Sequence, residues 1–149
     1  MRIEIDQSGK LEDTNKHTFL AYSNNSHFVL KLGSTEKKKL QKYFRSIGKP
    51  RLYIYITFAS LIIILLEKFK SSNNQIIIDT EYPGKSHLIR DLIKNMRRNF
   101  PIKEIVFHSI GKKSRAHFLA KGTAIKKLNP DIVIRADRVL KIIKKSGSA

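Results

Sequence analysis

Apolar and polar residues alternate in Arg2, Ile3, Glu4, Ile5, Asp6, a period of two that predicts a strand with Ile3 and Ile5 on one face and Glu4 and Asp6 on the other. Gln7, Ser8 and Gly9 are expected to stop it. Residues 17–23 and 27–32 read as two more strands, joined by a turn at Asn24, Asn25 and Ser26, so the chain opens with an antiparallel meander. Ser34 or Thr35 is the expected N-cap of a helix carrying Leu40, Tyr43, Phe44 and Ile47 at helical spacing. Gly48, Lys49 and Pro50 interrupt it, and Pro50 suits the first turn of a second helix. Residues 50–58 have strand-like propensity, but the apolar run is long and continues past Leu65 and Leu66, which favours a helix through Phe69.

The run Ile76, Ile77, Ile78 is β-branched and does not alternate, the pattern of a strand buried on both faces. Residues 86–99 form an amphipathic helix with a stripe of Leu88, Ile89, Leu92, Ile93 and Met96. Residues 104–107 read as a strand. Residues 115–128 read as a helix with Ala116, Phe118, Leu119 and Ala120 inward. A short extended piece at 131–134 precedes a last, basic-faced helix at 136–145. The order βββαβαβα predicts an α/β fold, a mixed five-stranded sheet flanked by helices. Residues 1–145 make one domain, and 146–149 form a frayed tail.

Charge changes this picture most. Thirty Lys and Arg stand against 12 Asp and Glu, a net +18, so the expected partner is a polyanion, nucleic acid before an anionic membrane surface. A generally basic surface without a specific partner is the plainer reading of the same charge. The absence of cysteine excludes a disulfide framework, thiol catalysis and a cysteine-zinc site. No signal-peptide pattern is visible at the N-terminus, and the expected location is cytoplasmic. The apolar run from Leu52 to Leu66 falls short of the ~20 residues of a spanning helix and contains Tyr53, Tyr55, Thr57 and Ser60, so it is expected in the core rather than a membrane. An Ile- and Lys-rich composition is also compatible with a thermophile.

The candidate chemistry lies where the central strand ends. Asp79 falls at its carboxyl end, where open α/β sheets carry ligands. If Thr80 and Glu81 continue extended, Glu81 points to the same side as Asp79, and the two carboxylates suit one hard cation. The element order, with Ile5-Asp6-Gln7-Ser8-Gly9 on the first strand and Ile76-Ile77-Ile78-Asp79 on the fourth, resembles the ribonuclease H-like superfamily. The segment from Gly111 to Ala120 is loosely similar to the loop and Ala-rich helix of type 2 ribonucleases H.

The resemblance implies two-metal phosphodiester cleavage or transfer, with Mg or Mn ions ~3.5–4 Å apart held by shared carboxylates. It also implies that Asp6 and Asp79 lie on adjacent strands. The catalytic set is then Asp6, Asp79, Glu81 and His117, with Asp6, Asp79 and Glu81 as metal ligands. The sequence departs from the type 2 pattern in two places: Gln7 replaces the Glu of an Asp-Glu pair, and His108, Ser109 and Lys112 occupy the region where another Asp follows the fifth strand. Glu81, Glu36 or His117 can stand in for the missing acid.

His117 shares a helical face with Ser114 and Lys121. It reads either as a solvated histidine or as a proton shuttle or phosphate contact. Lys112, Lys113 and Ser114 at a helix start form a phosphate cradle. Gly84, Lys85 and Ser86 form a second such corner, without Walker spacing. Lys85, Lys112, Lys113, Ser114, Arg115 and Lys121 are the expected nucleic-acid contacts, with Tyr22, Tyr43 and Tyr82 as candidate stacking aromatics. Three functions compete: a metal-dependent nuclease on DNA, RNA or a hybrid; a non-catalytic basic nucleic-acid-binding module on a degenerate site; and a transposase- or recombinase-type core.

Overall fold

A computed structural model describes residues 2–24, 26–68, 75–97, 105–111, 114–126 and 128–146. Among the described residues six strands form one mixed sheet in the order β5-β4-β1-β2-β3-β6. They are β1 (Arg2–Ser8), β2 (Thr18–Ser23), β3 (His27–Leu32), β4 (Gln75–Asp79), β5 (Ile105–His108) and β6 (Ile132–Ile134). The helices are α1 (Ser34–Ser46), α2 (Tyr53–Glu67, entered through a 3-10 turn at Pro50–Leu52), α3 (Ser86–Met96), α4 (Arg115–Ala124) and α5 (Ala136–Ser146). Only β2 runs antiparallel to its neighbours; β4, β5 and β6 join by parallel pairing.

The α/β class and the meander are as expected. The sheet has six strands rather than five, because the extended piece before α5 joins the edge of β3. Asp131 makes this join: its carboxylate accepts the Val29 N–H at 2.7 Å and its own N–H donates to the Val29 carbonyl at 2.8 Å. β1 does not stop at Asp6 but runs on to Ser8, with Gln7 paired to Leu20 and Ser8 to Phe19. Residues 50–58 are helical, as favoured; Phe69 lies outside the described residues.

The two faces of the sheet are covered unequally. Ile3, Ile5, Leu20, Tyr22, Leu30, Leu32, Ile76 and Ile78 pack into one large core with α1, α2, α3 and α5. α2 sits in its middle. A helix apolar all round needs apolar partners all round, and every residue from Ile56 to Leu66 is buried. Residues Pro50–Glu67 are long and apolar enough to cross a membrane by length and composition alone, and 67% of that stretch is buried inside this fold. On the other face, among the described residues, α4 alone covers the sheet, through Phe19, Ala21, Val29, Leu119 and Ala120.

α1 takes neither of its expected caps. Gly33 is the N-cap residue, with no side-chain hydrogen bond, and the Ser34 N–H donates instead to His17 Nδ1 at 3.0 Å. The β1–β2 loop is held by Lys37 of α1. Its buried ammonium donates to the carbonyls of Lys10, Asp13 and Lys16 at 2.7–2.8 Å. Gly9 starts that loop at φ +82, where a Cβ would lie 2.1 Å from the His17 carbonyl oxygen. No other residue type fits there.

Candidate metal centre

β1 and β4 pair in parallel with Ile5 beside Ile78, so the next row along both strands sets Asp6 beside Asp79. Ile5 and Ile78 point into the large core. Side chains alternate along strands, so Asp6 and Asp79 turn to the opposite face, under α4. Both stand toward the carboxyl ends of parallel strands. Glu81 arrives by a different route from the one expected. The strand ends at Asp79, and the Glu81 N–H turns back to the Asp79 carbonyl at 2.9 Å. This tight turn still returns its carboxyl to the same place: Asp6, Asp79 and Glu81 each offer an oxygen within 4.8 Å of the others, a grouping that can hold a metal ion.

Each carboxyl has its own restraint. Asp6 is 3% exposed; its Oδ1 accepts the Gln7 N–H at 2.9 Å and its Oδ2 lies 2.8 Å from His117 Nδ1. Asp79 Oδ1 accepts the Ile110 N–H at 2.9 Å, which ties the β5–α4 connection to the site. Burial, and then the charge of Asp79, raise the Asp6 carboxyl above its usual range, against the Gln7 N–H and His117, which pull it down. Glu81 is pushed up to about 8 by burial first, then by its hydrogen bond to Asp79 and by the charges of Asp6 and Asp79. Three carboxyls this close cannot all ionise without a counter-charge. The donor set therefore fits a hard divalent cation, which takes oxygen ligands.

α4 delivers His117. Ser114 caps this helix by accepting the Ala116 N–H at 3.2 Å, and its hydroxyl donates to Glu4 at 3.3 Å, pinning the helix start to β1. One turn later His117 reaches Asp6. When Nδ1 donates to Asp6, the neutral form of the imidazole leaves Nε2 as an acceptor for a second partner.

The other expected residues divide. Lys85 is exposed at the start of α3, its ammonium 5.6 Å from the Tyr55 ring centroid. Arg115 lies 3.3 Å from His27 Nδ1, and Lys121 is exposed on α4. Lys112 and Lys113 lie outside the described residues. Glu36 is not at the site: it caps α5 by accepting the Ala136 N–H at 3.0 Å, and it pairs with Lys39. Gln7 faces away from the acids and donates to the Tyr82 hydroxyl at 3.1 Å. Tyr22 and Tyr82 are buried and leave the stacking role. Phe118, expected inward, is 67% exposed.

Sequence reasoning did not place His108 in the site. The pairing of β4 with β5 sets it directly beside Asp79, exposed at the strand end. Only strand register reveals this, since His108 and Asp79 are far apart in the chain. No family model, curated protein or solved structure matches this chain.

Proposed function

We propose that this chain is a Mg- or Mn-dependent nuclease of ribonuclease H-like fold. The observation that carries the reading is the convergence of Asp6, Asp79 and Glu81 on one point, with His117 bonded to Asp6. The adjacency of the first and fourth strands, which the resemblance implies, supports it. The net +18 of the whole chain suits a phosphodiester backbone as substrate.

Asp6, Asp79 and Glu81 would hold the cation. When bound, it supplies positive charge for a phosphoryl oxygen and for the water that attacks it. The chain's own groups do the rest. The Ile110 N–H and the Gln7 N–H fix the two aspartates in place. His117 holds Asp6 through Nδ1 and presents Nε2 to accept or return a proton.

The test is cleavage of labelled single-stranded DNA, duplex DNA, RNA and RNA–DNA hybrid with Mg²⁺ or Mn²⁺. Asp79→Asn should remove cutting by more than the ~10–100-fold that loss of an outer-shell partner costs, with the fold unchanged by circular dichroism. Full activity in that variant would sink the reading. A second reading draws on the end of β5, where His108 and Ser109 stand in place of an acid: a binding module without catalysis. It predicts salt-sensitive retention of the same strands and no cutting.

A further inference from the structure

The side of α4 that faces away from the sheet carries an aromatic surface with no role so far. Phe118 is 67% exposed, the most exposed large hydrophobic side chain among the described residues. Ile125, seven positions on, is 53% exposed. At ~100° per residue these two lie on one line along the helix, opposite the buried Ala116, Leu119, Ala120 and Thr123. Leu128 extends the strip by folding over Gly122, where a Cβ would come within 2.9 Å of its Cδ1. Lys121 and Arg115 lie ~60° to either side of Phe118. No acidic residue occurs in α4.

We propose that this face of α4 is a stacking surface for unpaired nucleobases, with Phe118 as its platform and Lys121 as its backbone contact. The proposal rests on the nucleic-acid part of the reading above and extends it to the form of the substrate: a single strand, or a strand locally unpaired. Three observations support it. An exposed Phe between cations is the combination that binds single strands, because every base has a π face and every linkage a phosphate. The charge of the surface suits a polyanion and disfavours a second copy of this +18 chain. The same helix sets His117 on Asp6 and carries Phe118 ~100° further round, so the acids and the platform are held by one element.

The chain contains no Trp, so Phe118→Trp introduces a single fluorescent reporter. Titration in EDTA with a single-stranded oligonucleotide, as DNA and as RNA, should quench it, and an abasic strand of equal length should not. Phe118→Ala should weaken binding of the normal strand at least about five-fold. The abasic strand should bind it as before, and Phe118→Tyr should restore the difference. Equal affinity of wild type and Phe118→Ala for the normal strand would overturn the proposal, as would an equal loss on both strands. Self-association abolished by Phe118→Ala would overturn it too, since the face would then be a protein interface. Because this titration needs no metal, quenching together with no cutting in the separate Mg²⁺ or Mn²⁺ cleavage assay would remove the nuclease reading and leave this one standing.

Discussion

Glu81 is where burial and charge conflict most sharply. Its carboxyl is pushed up to about 8 by burial, by its hydrogen bond to Asp79 and by the charges of Asp6 and Asp79. Below about pH 4.5 the group is protonated in both folded and unfolded chains and contributes no pH dependence. Between there and about 8 the folded chain holds a proton that the unfolded chain has lost. The metal-free protein therefore loses stability as pH rises through that window. Thermal melts in EDTA should show Tm falling from about pH 5 to pH 8, and Glu81→Gln should flatten the slope; an unchanged slope would put the titration elsewhere. A bound cation replaces that proton, so calorimetry in buffers of different ionisation enthalpy should detect proton release at pH 7. Three of the four residues at this point were legible in the sequence for a simple reason, whereas Glu81 was expected there by continued extension and a tight turn brings it instead. Asp6 and Asp79 each follow an apolar strand pattern, and His117 stands one turn inside a helix. The directions of Gln7 and Phe118 were not legible. Gln7 lies in a strand that runs on past its expected stop, and Phe118 was placed by its apolar character while the helix turned it outward.

At the scale of elements, the β1–β2 loop depends on one side chain from a helix later in the chain. Lys37 is fully buried, and its three N–H groups meet three carbonyls of this loop. Tyr53 of α2 adds a bond from its hydroxyl to the Leu11 carbonyl at 2.8 Å. The loop is thus tied to the core through both α1 and α2. Lys37→Met keeps the apolar stem and removes the ammonium, leaving three inward-facing carbonyls without a donor. The expected loss is about 2–4 kcal/mol in urea unfolding, with early proteolytic cutting between residues 9 and 17. Lys37→Arg should not rescue it, since a planar guanidinium cannot aim three donors at one apex. From the sequence Lys37 belonged to an unremarkable run of three lysines. Long-range packing gave it a separate role. The sixth strand escaped for the same kind of reason: residues 131–134 read as extended, but which edge they join depends on a contact with Val29 about a hundred residues earlier.

For the whole molecule the decisive contrast is between a chain at net +18 and the point where three of its 12 acids meet. Chain order and strand pattern sufficed for the α/β class, because β-branched runs, a meander and amphipathic helices each declare themselves locally. The convergence of the acids also depends on parallel pairing of β1 with β4, which is set by the crossover through α1 and α2. The contrast gives a test whose sign discriminates. A divalent cation binding loosely to a strongly positive protein finds few partners, and added positive charge does not stabilise it. A cation bound at Asp6, Asp79 and Glu81 relieves the repulsion among them. At a concentration 100 times its Kd it adds about 2.7 kcal/mol, a rise on the order of 5–10 °C in Tm for a chain of this size. Mn²⁺ or Mg²⁺ should therefore raise Tm in a saturable way at pH 8, while NaCl at matched ionic strength does not. Asp79→Asn should abolish the rise. If NaCl reproduces it, the effect is general screening, and the acids at the ends of β1 and β4 hold no ion.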